Sequence, residues 1–241
     1  MAEISSTNFD IHVFILHSRS LDELGLSIAS VRCQDFSGEV CITVLGGQPV
    51  PLDIPNAEYV VDPTMQGAMT KNEFVLRKRQ WCIRNTKAQL VCFLDDDNWW
   101  DQDHLRVLFE ALGTDVIASY GWRKLWDQRG APYTKSGDPW ARLAAQRVGT
   151  HLYDLGVRTP GSHQYRDRLY ESPIDGFYGC IDLGSWLGRI QFWEKFLFET
   201  PDADHGEDDM ICKHLAGSEA KIVATERATL NYTIRDDHSY A

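Results

Sequence analysis

Short, nearly continuous apolar runs alternate with amphipathic segments over the first half of the chain. This alternation restricts the fold more than any other feature. "IHVFIL" (Ile11–Leu16), "VCITVL" (Val40–Leu45) and "QLVCFL" (Gln89–Leu94) are rich in β-formers. They carry no polar face, as expected of strands covered on both sides. "EYVV" (Glu58–Val61) and "DVIAS" (Asp115–Ser119) read as further strands. Ser20 with Glu23 three residues on forms a capping-box pattern, and Leu21, Leu24, Ile28 and Val31 follow at helical spacing. Lys71 to about Thr86 reads as a basic helix. Asp101 is placed to cap a helix whose apolar face is Leu105, Leu108, Phe109 and Leu112, with Gly113 as its stop. Repeated βαβ units of this kind predict an α/β fold: a mostly parallel sheet with right-handed crossovers and helices on both faces. Ligands of such sheets bind at the carboxyl ends of the strands.

The second half is less regular. From Gly121 to about Tyr178 the chain offers Trp, Tyr, Arg, Gly and Pro without periodicity, and a loop-rich stretch of that length is usually functional. Order returns with "QFWEKFLF" (Gln191–Phe198) and a helix over Glu207–Ala216, stopped by Gly217. "KIVAT" (Lys221–Thr225) reads as a late strand, and "LNYTIRDDHSYA" as a polar, aromatic tail.

Composition narrows the function classes. The chain has 241 residues, 43% of them hydrophobic, enough for one α/β domain with a real core. A formal net charge of −11 argues against nucleic-acid binding, which needs a basic footprint. Six cysteines without a C-x-x-C pair argue against a zinc knuckle and predict a reduced, cytoplasmic protein. The opening "MAEISSTNFD" lacks the features of a signal peptide, and no apolar stretch approaches the roughly 18 residues of a membrane span.

The chemistry concentrates in "FLDDDNWWDQDHL" (Phe93–Leu105), where a buried strand ends in three adjacent carboxylates. Asp95, Asp96 and Asp97 repel one another, and a hard divalent cation relieves that repulsion. Mg²⁺ and Mn²⁺ take oxygen ligands, commonly one or two carboxylates plus substrate phosphates. The alternative is an Asp-rich turn leading into the next helix. An EF-hand is excluded, because Trp99 and Trp100 fall at the fifth and sixth positions and Arg106 at the twelfth.

"QLVCFLDDDNWWDQDHLRVLFEAL" resembles the centre of GT-A-fold glycosyltransferases, family 2 in particular. "WCIRNT" upstream, the opening unit from Ile11 to Leu45 and "HGEDDMICKHLAG" downstream are similar to that family's elements, in the same order. The resemblance implies a GT-A domain over residues 1–241, with a nucleotide-sugar half (1–119) and an acceptor half (120–241). It implies a metal-dependent, inverting transfer of one sugar from a nucleotide-diphosphate donor (UDP-, GDP- or dTDP-linked) to a hydroxyl of a saccharide acceptor. Residue by residue, it makes Asp97 the ligand of Mn²⁺ or Mg²⁺ and Asp95 the nucleotide or sugar contact, with Asp96 assisting either. Asp208 becomes the base that takes the acceptor's proton, and Glu207 orients it or the acceptor. His17, Ser18 and Arg19 fall near the nucleotide, and Arg77, Lys78 or Arg84 near the diphosphate. His238 is the candidate third metal ligand, with His205 in competition. Trp122, Trp126, Trp140 and Trp186 suit stacking on a saccharide, with packing as the other explanation for each, and Asp182 lies where family members approach the acceptor.

The chain also departs from the family. "LGGQP" carries no carboxylate to read the base, and "LHSRS" replaces the usual Pro-Thr-x-Asn. The Q-x-x-R-W signature of processive synthases is absent, which favours single transfer. A sugar nucleotidyltransferase would carry a Gly-rich basic loop after the first strand, where "LHSRSLDELG" stands. A non-catalytic carbohydrate-binding protein would not need both acidic motifs.

Overall fold

The computed structural model describes residues 10–48, 50, 57–62, 70–134, 159, 161–169, 181–198 and 207–235. A nine-stranded sheet organises them. Its strands are β1 (Ile11–His17), β2 (Val40–Gly46), β3 (Ala57–Val61), β4 (Leu90–Asp95), β5 (Trp99–Trp100), β6 (Ala118–Asp127), β7 (Gln164–Tyr165), β8 (Trp186–Arg189) and β9 (Ile222–Ile234). The helices are α1 (Leu21–Arg32), α2 (Lys71–Asn85), α3 (His104–Ala111), α4 (Ile190–Phe198) and α5 (Glu207–Ala216). The strand order is β3-β2-β1-β4-β8-β6-β9-β5, with β7 beside β6. The pairings make β1, β2, β3, β4, β6 and β9 run one way, while β5, β7 and β8 oppose them.

The side-chain period of two along β1 divides its residues between two cores. Ile11, Val13 and Ile15 pack with Leu24 and Ile28 of α1 and with Leu105 and Leu108 of α3. Phe14 and Leu16 face the other way, into a core shared with Leu76 of α2, Phe192 and Phe196 of α4, and Ile211 of α5. This is why the first strand shows no polar face in the sequence. The capping box at Ser20 and Glu23 starts α1, and an equivalent one at Thr70 and Glu73 starts α2.

The antiparallel strand β8 sits between β4 and β6. Gly188 lies at the crowded centre of that insertion, opposite Val91 on one side and Ala118 on the other. A methyl group added there would stand 2.6 Å from Trp193 Nε1 and 2.7 Å from Phe192 Cδ1. The Trp193 indole N–H donates to the Val91 carbonyl at 3.0 Å, so the ring is fixed against the backbone.

Several expectations need correction. The strand expected at 115–119 runs from Ala118 to Asp127, well into the stretch that lacked periodicity. Its register against β9 shifts around Trp122, and such a bulge erases simple alternation. The late strand runs thirteen residues, to Ile234, and absorbs "LNYTI". Glu226, at φ 56°, breaks its pattern near the middle. "WW" forms a short strand against β9, pairing Trp99 with Asn231 and Trp100 with Leu230. Asp101 does not cap α3, which begins three residues later. Its carboxylate accepts instead from Asn231 Nδ2 at 2.9 Å and from Lys124 Nζ. Among the described residues no helix is long and apolar enough to cross a membrane.

Replacing Gly188 with Ala should destabilise the protein by about 2 kcal/mol, the usual cost of overpacking a filled core. Urea denaturation of the two proteins measures this, and an unchanged midpoint would show that Trp193 and Phe192 yield freely.

Candidate active site

The three carboxylates after β4 have separate partners. Asp95 closes the strand with its side chain 43% exposed, 3.3 Å from the Arg79 guanidinium. Arg79 is buried and lies over the Phe93 ring, 5.0 Å from its centroid. Asp96 is 2% exposed and turns back toward β1. Its Oδ2 accepts from the backbone N–H of Ser18 and of Arg19, each at 2.6 Å, and lies 2.8 Å from His17 Nδ1. Asp97 faces Arg235, whose Nε donates to Oδ2 at 2.8 Å, with Arg19 Nε 3.8 Å from the same oxygen. Burial and the neighbouring Asp95 charge push the Asp97 carboxyl up to about 6, with Arg235 opposing the rise.

Side chains from elsewhere brace this turn. Ser27 of α1 donates to the Asn98 carbonyl at 2.6 Å. Thr233 of β9 donates its N–H to Asn98 Oδ1 at 3.0 Å and its hydroxyl to the Asp97 carbonyl at 2.6 Å. The Trp100 indole N–H donates to the Gly184 carbonyl at 2.9 Å, joining the acidic turn to the 3₁₀ turn at Leu183–Ser185.

That 3₁₀ turn carries Asp182 at its start. Asp182 accepts from the Gly184 N–H at 2.8 Å, and Arg123 Nη1 lies 3.5 Å from its Oδ2. Arg123 comes from β6, is 3% exposed and grips Asp167 at 2.5 and 3.1 Å. The rings of Tyr165 and Tyr232 lie against its guanidinium, 4.6 and 5.3 Å away. Burial pushes the Asp182 carboxyl up to about 7. Arg123 works against the rise, while Asp95, Asp167 and Asp208 add to it by repulsion. Asp182 is thus within electrostatic reach of both Asp95, at the end of β4, and Asp208, in the first turn of α5.

The residues singled out from sequence divide accordingly. His17, Ser18, Arg19, Asp96 and Asp97 meet at one place. The charges of Asp95 and Asp208 both act on Asp182. Arg77 is exposed on α2. Arg84 lies over the Phe198 ring of α4, 4.6 Å from its centroid, toward the end of α2 that feeds the start of β4 and so away from Asp95. Lys78 pairs with Asp62 at 3.2 Å. Glu207 is the first residue of α5, but its side chain, like His205, His238 and Trp140, lies outside the described residues. Trp186 is fully buried in the core. Trp126 is held by Asn231 at 2.9 Å beside Trp99, and Trp122 meets the Arg166 guanidinium.

Sequence reasoning missed Arg79, Arg123, Asp167 and Arg235. Arg79 stands beside Arg77 and Lys78, and only its pairing with Asp95 sets it apart. Asp182 was named from the resemblance without its partners Arg123 and the Gly184 amide. Among the described residues no group of three His, Cys, Asp or Glu is arranged to hold a metal ion. Asp95 and Asp97 supply two carboxylates, the kind of oxygen ligand a hard divalent cation takes, and the Asp95 charge adds to burial in raising the Asp97 carboxyl.

Sheet order, helices on both faces and an acidic turn at the carboxyl end of a central strand define the class: a GT-A fold. The model of the family described as glycosyl transferase family 2 matches residues 68–172, the segment that contains the acidic turn. S. aureus TarS 1-349 in complex with UDP-GlcNAc is similar in structure, with a TM-score of 0.57 at 14% identity over 96% of this chain and 61% of that one. The mannosyltransferase PcManGT from Pyrobaculum calidifontis, in complex with GDP-Man and Mn²⁺, gives 0.58 at 12% identity over 98% and 60%. This chain therefore spans less than two thirds of the length of either neighbour, and likeness at these identities establishes the fold. No curated protein matches the sequence.

A carboxyl group raised in the folded state binds a proton there that the unfolded chain releases, so its contribution to stability falls as pH rises through the window. For Asp182 that window runs from the ordinary carboxyl value of 3.8 to about 7. Asp182→Asn removes the loss, so the variant should gain on wild type between pH 5 and pH 8. Thermal denaturation at the two pH values tests this, and a difference in Tm that does not move with pH refutes it.

Proposed function

We propose that this protein is a metal-dependent, inverting glycosyltransferase that moves one sugar from a nucleotide-diphosphate sugar to a hydroxyl of a saccharide acceptor. The observation that carries the reading is the acidic turn that follows β4 from Asp95, inside the family-matched segment and tied through the Trp100 indole to the turn that carries Asp182. TarS was solved with UDP-GlcNAc and PcManGT with GDP-Man and Mn²⁺, which supports a nucleotide-sugar donor and a divalent cation here.

Asp97 and Asp95 would hold Mn²⁺ or Mg²⁺, which neutralises charge on a departing diphosphate. Ser18 and Arg19 border the same turn and flank the donor's nucleotide end. Asp208 takes the proton from the acceptor hydroxyl, whose oxygen attacks the anomeric carbon as the bond to the diphosphate breaks. Nucleoside diphosphate leaves, and the proton remains on Asp208 until solvent removes it. Asp208 stands in the first turn of α5. Asp182, held by Arg123 and the Gly184 amide, is a rigid acceptor for a sugar hydroxyl between the two. Arg84, beside Phe198, has no part in this reading.

A panel of UDP-, GDP- and dTDP-sugars incubated with acceptor saccharides and Mn²⁺, and then with EDTA, tests the proposal. Metal-dependent release of nucleoside diphosphate is expected. Release of pyrophosphate from a nucleoside triphosphate and a sugar phosphate would instead indicate a nucleotidyltransferase. Asp208→Asn should retain donor binding and lose a factor of about 10² to 10⁴ in kcat, the range for a general base. Wild-type turnover by that variant would remove Asp208 from the role. Asp97→Ala should lose Mn²⁺-dependent donor binding, as read by titration calorimetry.

A further inference from the structure

Asp97, the carboxylate assigned to the divalent cation, is already engaged by protein cations. Arg235 Nε donates to Asp97 Oδ2 at 2.8 Å, and Arg19 Nε lies 3.8 Å from the same oxygen. The Asp97 side chain is 11% exposed and that of Arg235 13%, so the pair is largely withdrawn from water. A metal ion that takes Oδ2 competes directly with the Arg235 guanidinium.

Arg235 has a second anchor. Its Nη2 donates to Glu23 Oε1, while Glu23 Oε2 is occupied in the capping box of α1, 3.0 Å from Ser20 Oγ and 3.2 Å from Ser20 N. Glu23 is therefore fixed by the helix it caps and holds Arg235 at one edge of its guanidinium. Release of Asp97 leaves Arg235 tethered at the site with its Nε edge available. Arg19, Arg79 and Arg235 stand against Asp95, Asp96, Asp97 and Glu23, so a divalent cation placed among them turns the cluster from net negative to net positive. A diphosphate restores the balance, and guanidinium groups bind phosphate oxygens well.

We propose that Arg235 is an exchangeable counter-cation of the donor site: it competes with the divalent cation for Asp97 and, once displaced, binds the donor's diphosphate from its anchor on Glu23. This rests on the donor reading above. Cation and nucleoside diphosphate then bind cooperatively, because each supplies the charge the other needs. A free cation binds poorly because it must expel Arg235, and the diphosphate makes that expulsion favourable by receiving the guanidinium.

The test is Mn²⁺ binding, read by electron paramagnetic resonance of the free ion and by calorimetry, alone and then with UDP or GDP. The proteins are wild type, Arg235→Gln and Arg235→Lys, each checked for folding by near-ultraviolet circular dichroism. Arg235→Gln should bind Mn²⁺ alone at least tenfold more tightly than wild type. It should also bind the nucleoside diphosphate at least tenfold more weakly in the presence of Mn²⁺. Arg235→Lys retains the competing charge and should keep the weak wild-type affinity for Mn²⁺ alone. Unchanged or weaker Mn²⁺ binding by Arg235→Gln overturns the proposal, as do a Lys variant that behaves like Gln and an absence of Mn²⁺ binding by every protein. If wild type binds Mn²⁺ but neither nucleotide, the donor reading fails and the diphosphate half of the proposal fails with it. The Mn²⁺-alone comparison still decides the competition at Asp97.

Discussion

The site depends first on the carboxylate of Asp96. It is buried, and its Oδ2 gathers the His17 ring and two backbone amides from the turn after β1. Hydrogen bonds to an ionised acceptor are among the stronger ones in a protein, and leaving that carboxylate without donors would be costly. The interaction ties the carboxyl end of β1 to the carboxyl end of β4, two strands already paired in register from Ile11 with Leu90 to Leu16 with Asp95. It also sets the directions of its neighbours. With Asp96 turned inward, Asp95 faces Arg79 and is partly exposed, and Asp97 faces Arg235.

The far side of the sheet completes what Asp96 begins. The antiparallel insertion of β8 brings the Asp182 turn against the acidic turn, where the Trp100 indole fixes it to the Gly184 carbonyl. The long strand β9 then runs beside β6 and β5, and its last residues deliver Thr233 and Arg235 to Asp97. A cluster of like charges survives in a folded protein because each member has its own compensation. Arg79 serves Asp95, three donors serve Asp96, and Arg235 with Arg19 serves Asp97. Arg123 does the same for Asp182 and Asp167 together. Such pairs contribute little net stability compared with apolar packing, and their value lies in fixing geometry.

The GT-A expectation rested on the resemblance of several motifs to that family, and the sheet, the family match and the structural neighbours agree with it. The site was legible in unequal parts. The three aspartates could be read because a strand ending in like charges is conspicuous along the chain, whereas His17, Ser18 and Arg19 came only from the family resemblance. Arg84 illustrates the opposite limit. A basic helix next to the motif suggested a phosphate contact, but the helix runs back along the sheet. Its last turn therefore lies by Phe198, toward the start of β4. Arg79, a turn and a half earlier, is the one that meets Asp95.

What the sequence determined by itself is local. Hydrophobic period and capping boxes fixed the βαβ units, because both express interactions between residues a few positions apart. They therefore fixed which strand end would carry the carboxylates. Tertiary structure alone decided the partners: Arg235 for Asp97, 138 positions apart, and Arg123 for Asp167, 44 positions apart. It also decided that β6 and β9 are long strands, since their pairing runs through a register shift and a residue with positive φ that interrupt the sequence pattern. Charge compensation acts through space, at distances that only packing of the sheet creates, so a motif can announce a site without naming the groups that tune it.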